Sequence, residues 1–246
     1  YYFRICFLDN FQAQVLVNFA EDKFSAQKAY CLGELGNEYD QGLIAFFEQN
    51  FDGEVIKDSF PTNTSDFSTY LTKAVAEDVD VSFCPVSIAY ATQIVKLAAS
   101  MDLDIPLLGS DTLDSNMVLE AAQGSNVQLY VSTFYQEGGS PEFDDGIKAW
   151  LNEDSTAMTN NGGNDTIAAV TAMGYDAYYV ALEALKAAGS TDPAAVKAAL
   201  PGVTYTGVTG DIAFDDIGDA IRDTAYIKVA DTANNAWALE TMQKAG

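Results

Sequence analysis

Asp111 is the residue whose position in this sequence most favours binding chemistry. It follows the apolar segment IPLLG (105–109) and one serine, within the motif GSDTLDS. Because such a segment is typical of a buried strand, we expect the Asp111 carboxylate at the mouth of that strand, where it can pair with a cation such as an ammonium group. A structural role, as an N-cap of a helix near residue 115 or in an Asx-turn, suits the same position. Position alone leaves both interpretations open.

Other candidate site residues lie in the loops that follow predicted strands. They are Tyr39, Ser87, Ile88, Ser110 and Thr112. Tyr39 ends the segment GELGNEY and offers a ring as a pocket wall and a hydroxyl for a polar contact, although an aromatic residue at a helix start also commonly packs in a core. Ligands of open α/β sheets bind where the loops at the carboxyl ends of the strands converge. Each of these loops leads into a helix, whose free N–H groups favour negatively charged ligand groups.

The elements that position these loops alternate along the chain from residue 10 to about 132. Helical patterns predict helices at 11–22, 38–51, 65–79, 88–101 and near 115–122, and apolar runs predict strands at 28–34, 54–60, 79–86, 105–109 and 127–133. Such alternation with short joints is typical of βαβ units and a mostly parallel sheet. Right-handed crossovers then place helices on both faces. We therefore predict an α/β fold with a doubly wound sheet.

The helix at 65–79 has the clearest periodicity. One apolar stripe is expected to face the sheet, and Thr64 or Ser65 is the expected N-cap. The stripe consists of Phe67, Tyr70, Leu71, Ala74 and Val75.

Beyond residue 133 the pattern becomes helical. Helices are predicted at 141–153, 166–189 and 192–200, with the loop TAMTNNGGND between the first two and short strands in VTGDIAFD, TAYIKVA and AWALE that resemble a closing hairpin. The helix at 166–189 is apolar around most of its circumference and needs a sheet to pack on. We expect that sheet to precede residue 1, since the chain starts without Met and within an apparently folded segment. A small α-rich extension packed on the first unit is the alternative.

Composition excludes several function classes. The chain carries 36 acidic against 12 basic residues, a formal net charge of −24, so binding to a phosphate backbone is opposed and nucleic acid is not an expected partner. No apolar run has the length of about 20 residues that a membrane span needs, and no secretory leader opens the chain. The sequence is therefore either cytoplasmic or lacks its leader.

Residue types argue against an enzyme or a metalloprotein. The chain has three separated cysteines and no histidine, and it contains none of the motifs GxSxG, GxGxxG or GxxxxGK[ST]. The acidic pairs Asp144/Asp145 and Asp215/Asp216 suit turns or a solvated surface, and FDDIGDAIRD lacks the spacing of an EF-hand loop. We predict no catalytic residues, metal site or cofactor. A carboxylate-based hydrolase is a disfavoured alternative.

Several segments together resemble a known family. In order and spacing, FRICFLDNFQ, GELGNEYDQGLIAFFEQNF, TNTSDFSTYLT, IPLLGSDTLDS, MGYDAYYVALEALKAAGS and GDIAFDDIGD are similar to the extracytoplasmic substrate-binding proteins of branched-chain amino-acid ABC transporters. These are type I periplasmic binding proteins of the leucine/isoleucine/valine receptor kind. The resemblance implies two α/β lobes that close on one small molecule.

The resemblance also implies a domain organisation. Residues 1–131 are similar to the complete second lobe, 132–210 to the helical part of the first lobe, and 211–246 to the closing hinge and strand segment. A domain-sized piece of the first lobe is then expected upstream. It would be the missing N-terminal segment of the same protein, together with any anchor.

The site implied by the family includes Asp111 and Tyr39. Asp111 would bind the ligand's α-ammonium and Tyr39 would flank the ligand. Ser87 stands where relatives often place Tyr or Asn, with Ile88 and Tyr90 nearby, and Ala13 stands where many carry Gly. The groups that grip the α-carboxylate in relatives belong mostly to the absent lobe.

The function implied by the resemblance is transport of a small solute. The chain would be an extracytoplasmic receptor, periplasmic or lipid-anchored, that binds a branched-chain or other aliphatic amino acid and delivers it to an ABC permease. A ligand-sensing regulatory domain of the same fold is the alternative, because fold alone does not separate the two.

Overall fold

A computed structural model describes residues 2–245 of the chain. Contacts divide it into two units, which we call the sheet unit and the helical unit. The sheet unit contains Asp9–Thr133 and the segment from Thr224 onward, and the helical unit contains the segment up to Leu8 and Phe134–Asp223. The division into lobes at residues 131 and 210 stays a prediction.

Helices and strands alternate along most of the sheet unit. In chain order they are α1 (Asp9–Phe24), β1 (Lys28–Glu34), α2 (Glu38–Asn50), β2 (Glu54–Phe60), α3 (Ser68–Ala76), β3 (Val81–Phe83), α4 (Ile88–Ser100), β4 (Leu107–Gly109), a 3-10 turn (Asp111–Leu113), α5 (Asn116–Ala122) and β5 (Leu129–Thr133). The chain returns to this unit with two long strands, which are β8 (Thr224–Asp231) and β9 (Ala236–Lys244).

These strands form one mixed sheet. Among the described residues its order is β2-β1-β3-β4-β5-β8-β9. The first five strands of that order are parallel to one another. β8 runs antiparallel to β5, and β9 antiparallel to β8. The order β2-β1-β3-β4-β5 is that of a doubly wound sheet, so the predicted α/β class with a mostly parallel sheet is confirmed.

The central strands β1, β3, β4 and β5 are buried on both faces, as their near-continuous apolar sequences require. In β1, Tyr30 and Leu32 belong to a buried cluster with residues of α3, α4 and α5. On α2, the buried ring of Phe47 stacks on Phe83 of β3, with centroids 4.8 Å apart. Successive side chains of a strand point to opposite faces, so the two helical layers pack against different residues of the same strands.

The helical unit contains the elements between Phe134 and Asp223. They are α6 (Pro141–Glu153), α7 (Ser155–Asn160), α8 (Ala169–Ala188), α9 (Pro193–Ala199), a second 3-10 turn (Leu200–Gly202), β6 (Tyr205–Gly207) and β7 (Gly210–Ile212). β6 and β7 pair antiparallel as a separate two-stranded sheet. On α8, Val180 and Ala184 join a small buried cluster, whereas Val170 and Tyr178 are 68% and 65% exposed. The helix therefore presents a broad apolar face outside that cluster.

Three local predictions need correction. The helix predicted at 65–79 spans only Ser68–Ala76, and neither Thr64 nor Ser65 caps it. Thr64 Oγ1 donates to Pro61 O instead, and the Asp66 carboxylate accepts from the Ser68 N–H, which delays the helix start. Val75, assigned to the apolar stripe, is 52% exposed and lies outside the buried face of α3, which consists of Leu71 and Ala74.

A second correction concerns the loop predicted after α6. Residues Ser155–Asn160 form the short helix α7, because the Asp154 carboxylate accepts from the N–H groups of Thr156 and Ala157. Capping of this kind satisfies the free donors of a first turn. The third correction is β3, predicted at 79–86, which is limited to Val81–Phe83.

Candidate ligand-binding site

The candidate site lies at the carboxyl edge of the parallel strands in the sheet unit. The loops after β1, β3 and β4 lead into α2, α4 and the 3-10 turn Asp111–Leu113. Because the strands are parallel neighbours, their carboxyl ends meet at one edge. The structure brings two of the predicted site residues into direct contact there, with the Tyr39 hydroxyl donating to Asp111 Oδ1 at 2.8 Å.

Asp111 occupies the first position of the 3-10 turn after β4. The helix that follows is capped by Ser115, whose side chain accepts from the Met117 N–H, so the capping role considered for Asp111 belongs to Ser115. The Asp111 side chain instead accepts two side-chain hydrogen bonds on Oδ1, one from Gln12 Nε2 at 2.7 Å and one from Tyr39. Neither bond uses Oδ2. The carboxylate is therefore oriented by two neutral donors, the Gln12 amide and the Tyr39 hydroxyl.

The close approach of the chain after β4 explains the glycine before this turn. A Cβ atom on Gly109 would lie 2.5 Å from Leu113 Cδ2 and 3.2 Å from Val131 Cγ1. Leu113 is the buried last residue of the turn that starts at Asp111. Gly109 thus allows the turn to fold back tightly over the end of β4.

Tyr39 is placed by the first turn of α2. Asn37 caps this helix, and its side chain accepts from the N–H groups of Tyr39 and Asp40. Burial raises the pKa of the Tyr39 phenol, and the nearby Asp111 charge raises it further. The hydroxyl therefore keeps its proton and acts as a donor to the carboxylate.

Gln12 of α1 is a site residue that the sequence analysis missed. Its side chain is 1% exposed, yet it lies among the apolar residues Ala13, Val15 and Leu16 on the buried side of the helix. Tyr39 Oη lies 3.4 Å from Gln12 Oε1, so the three side chains form a closed triangle. A polar residue in an otherwise apolar helical stripe was the signal available, because a buried amide needs hydrogen-bond partners.

The flanking hydroxyl residues tie two site loops together. Ser110 is buried, and its Oγ lies 2.8 Å from Thr112 Oγ1. Thr112 Oγ1 in turn donates to Val86 O at 3.3 Å, in the loop that follows β3. Ser110 and Thr112 thus connect the β4 loop to the β3 loop.

Ser87 and Ile88 lie at the start of α4, next to Val86. Ser87 is the N-cap residue but makes no side-chain cap bond, and its side chain is exposed. Ile88 is 36% exposed. The structure places both residues at the same edge as Asp111 and connects them to it through the Thr112 to Val86 bond.

A buried acid lies beneath the loop that carries Tyr39. Asp40 is 1% exposed, and its Oδ2 accepts from the Glu34 N–H at 2.8 Å. Burial raises the pKa of the Asp40 carboxyl to about 6, and the neighbouring Glu34 charge adds to this increase. The conformation of the loop after β1 is thus linked to a group that titrates in the mildly acidic range.

Acidic pairs outside this edge have structural roles in the helical unit. Asp144 accepts from the Tyr135 hydroxyl at 2.6 Å and from the Gly138 N–H at 2.7 Å. Asp215 accepts from the N–H groups of Ile217 and Asp219 within one turn. These contacts account for the first acid of each pair without a catalytic role.

Two negative findings apply to the described part of the chain. Residues 2–245 contain no group of three or more His, Cys, Asp or Glu side chains arranged to hold a metal ion. Within the same range, helices that combine the length and the hydropathy needed to cross a bilayer are absent.

Comparison with known proteins defines the class of this fold. The model of the periplasmic binding protein family matches residues 1–234, so the chain belongs to this family. The resemblance found in the sequence is thereby confirmed, as is the type I architecture. Periplasmic binding proteins bind small-molecule ligands and work with ABC transporter permeases. Comparison with curated protein sequences gives no match.

Solved structures share the fold at low sequence identity. The leucine binding protein LivK of Thermotoga maritima is 24% identical, with a TM-score of 0.83 over 98% of this chain and 67% of that chain. The branched-chain amino acid transporter substrate binding protein LivJ of Streptococcus pneumoniae, in complex with isoleucine, is 23% identical, with a TM-score of 0.75 over 97% of this chain and 65% of that chain.

A third structure holds a different ligand. An ABC transporter solute binding protein of R. palustris, in complex with benzoate, is 18% identical, with a TM-score of 0.78 over 98% of this chain and 64% of that chain. The chain thus spans about two thirds of the length of these proteins.

Proposed function

We propose that this chain is the ligand-binding part of an extracytoplasmic solute receptor, which binds a small aliphatic amino acid and delivers it to an ABC permease. The single observation that carries the ligand class is the Asp111 carboxylate. It lies at the carboxyl edge of the sheet, with Oδ1 held by Gln12 and Tyr39. A carboxylate in this arrangement suits the α-ammonium group of an amino acid through a charge-assisted hydrogen bond.

The N-termini of two helices at this edge suit the α-carboxylate group of an amino-acid ligand. α2 and α4 are each 13 residues long, and both begin at the loops of the site. Helix N-termini carry positive partial charge and favour carboxylates. Ile88, on the first turn of α4, supplies apolar surface for an aliphatic side chain.

Known ligands of structural neighbours are consistent with this class but do not define it. One neighbour was solved with isoleucine and another is described as a leucine binding protein. The neighbour solved with benzoate shows that the same fold accepts a ligand without an ammonium group. The choice between these classes therefore depends on the Asp111 carboxylate of this chain.

We further propose the organisation expected from the family. Residues 1–131 form one lobe, 132–210 contribute helices to its partner lobe, and 211–246 form the closing segment. The exposed apolar side chains Val170 and Tyr178 on α8 support a further segment of the same protein that covers them. A receptor of this kind acts outside the cytoplasm, in the periplasm or lipid-anchored at the membrane surface, and it is not an enzyme.

Calorimetric titration of the full-length protein tests this function. L-Leucine, L-isoleucine and L-valine are titrated alongside benzoate, and we expect one of the amino acids to bind with a dissociation constant near micromolar, about −8 kcal/mol. Asp111→Asn should weaken that binding by at least about 100-fold, because an ammonium loses its charged partner. Asp104→Asn, an exposed acid that precedes β4 at the opposite edge, is the matched control and should bind normally.

Two results would contradict the proposal. One is an unchanged amino-acid affinity in Asp111→Asn, which removes this carboxylate from the site. The other is binding of benzoate with no binding of any amino acid, which assigns the protein to a different ligand class.

A further inference from the structure

The buried amide of Gln12 lies next to the site carboxylate and interrupts an apolar helix face. Gln12 lies in the first turn of α1, where its neighbours Ala13, Val15 and Leu16 are fully buried apolar residues. A buried amide is costly unless its groups are hydrogen-bonded. The hydrogen-bond partners of Gln12 therefore indicate its function.

We propose that Gln12 is a positioning residue of the ligand site, which holds the Asp111 carboxylate so that Oδ2 meets the ligand's ammonium group. This inference rests on the proposed function. Gln12 Nε2 donates to Asp111 Oδ1 at 2.7 Å, and the Tyr39 hydroxyl donates to the same oxygen at 2.8 Å. Two donors on one oxygen fix the rotation of the carboxylate and direct its other oxygen away from both.

The donors that hold Asp111 carry no charge of their own. An amide and a phenol are neutral donors, so neither of them supplies a positive charge to pair with the Asp111 carboxylate. Asp114, three residues later, shows the opposite arrangement, since its two oxygens lie 3.2 and 2.9 Å from Lys228 Nζ. An ammonium from the protein neutralises Asp114, and only Asp111 of these two acids can attract an ammonium from a ligand.

Gln12 suits this task because its backbone is fixed by packing. α1 buries Leu16 and Phe19 within the sheet unit, and Ala13, which follows Gln12, is fully buried. Polar groups on rigid elements hold a binding geometry better than groups on loops. Tyr39, in the first turn of α2, completes the same triangle, because its hydroxyl lies 3.4 Å from Gln12 Oε1.

The experiment compares two ligands that differ only in the ammonium group. Gln12→Leu and, as a second variant of similar length, Gln12→Met are titrated with L-leucine and with 4-methylpentanoate, which is leucine without its amino group. We expect leucine affinity to fall about 10- to 100-fold and affinity for 4-methylpentanoate to change less than about threefold. Gln14→Leu, two residues along the same helix and bonded to Asn18 instead, should leave both affinities unchanged.

An equal loss of affinity for both ligands would show a general disruption of the pocket and would overturn the positioning role of Gln12. Leucine affinity within about twofold of wild type would overturn it as well. Either result leaves the proposed function intact if wild-type protein binds leucine.

A measurement without ligand tests the contact between Gln12 and Asp111 separately from amino-acid binding. Unfolding is measured for Gln12→Leu, Asp111→Asn and the double variant. If Gln12 acts through Asp111, the change in the unfolding equilibrium constant of the double variant should differ by about threefold or more from the product of the changes in the two single variants. Independent effects in a protein that binds leucine would overturn the inference and leave the proposed function standing, whereas a wild-type protein that binds no amino acid would refute the proposed function and the positioning role together.

Discussion

Lys228 and Asp114 form an ion pair that solvent does not reach. Lys228 Nζ lies 2.9 Å from Asp114 Oδ2, and the two side chains are 3% and 4% exposed. Thr133 Oγ1 donates to the same carboxylate oxygen at 2.6 Å. The contact joins β8, the end of β5 and the residue that follows the Asp111–Leu113 turn, so it fixes the turn that carries the site carboxylate.

Removal of this lysine should be strongly destabilising. In Lys228→Met the Asp114 charge stays buried without its partner, and we expect the free energy of unfolding to fall by about 3–5 kcal/mol. Urea denaturation measures the change. The control is Lys186→Met, which breaks the exposed pair with Glu183 and should cost less than about 0.5 kcal/mol. A loss below about 1 kcal/mol in Lys228→Met would show that the pair is not desolvated.

Gly109→Ala should disturb the site and not only the fold. The added Cβ would lie 2.5 Å from Leu113 Cδ2, so the turn must move away from the end of β4 and Asp111 moves with it. We expect about 1–3 kcal/mol of destabilisation from overpacking and at least about a 10-fold loss of amino-acid affinity. Gly42→Ala on α2, where the new atom meets nothing within 4 Å, is the matched control and should bind normally. Normal binding in Gly109→Ala would contradict the tight turn.

Asp40 makes stability depend on pH in the mildly acidic range. Its pKa is raised in the folded protein from 3.8 to about 6, so the folded state binds this proton more strongly than the unfolded state. The stabilising contribution is present below pH 3.8 and is lost as pH rises through about 6. Asp40→Asn keeps an acceptor for the Glu34 N–H and carries no charge.

We therefore expect Asp40→Asn to gain about 2–3 kcal/mol relative to wild type between pH 4 and pH 7.5. Urea denaturation across this range gives the difference. Asp145→Asn, an exposed acid on α6, should show no such trend. A constant difference between Asp40→Asn and wild type would contradict the raised pKa.

The net charge predicts a salt-dependent melting temperature. With 36 acidic and 12 basic residues, the folded chain repels itself, and counterions screen this repulsion. Raising NaCl from about 0.05 M to about 1 M shortens the screening length severalfold and should raise the melting temperature by about 3–8 °C. KCl should act equally, because screening does not depend on the identity of the cation. A falling melting temperature would mean that the ion pairs outweigh the repulsion.

The sequence was sufficient for the fold of the sheet unit. Strands β1 and β2 have the predicted limits of 28–34 and 54–60, and α4 differs from its prediction by one residue. These elements follow from the periodicity of their own side chains, which is local information. The predicted start of α3 was wrong, and α7 was predicted as a loop. The carboxylates of Asp66 and Asp154 decide where those helices start.

For the site, the sequence by itself determined the edge at which Tyr39 and Asp111 lie, because parallel strands bring their following loops together. Only the tertiary structure decided the partners of Asp111. Gln12 is 99 residues away from Asp111 in the chain, and Lys228 is 114 residues away from Asp114. Such pairings depend on how α1 packs against α2 and how β8 pairs with β5, and no periodicity within a single element encodes which distant side chain will donate to a carboxylate.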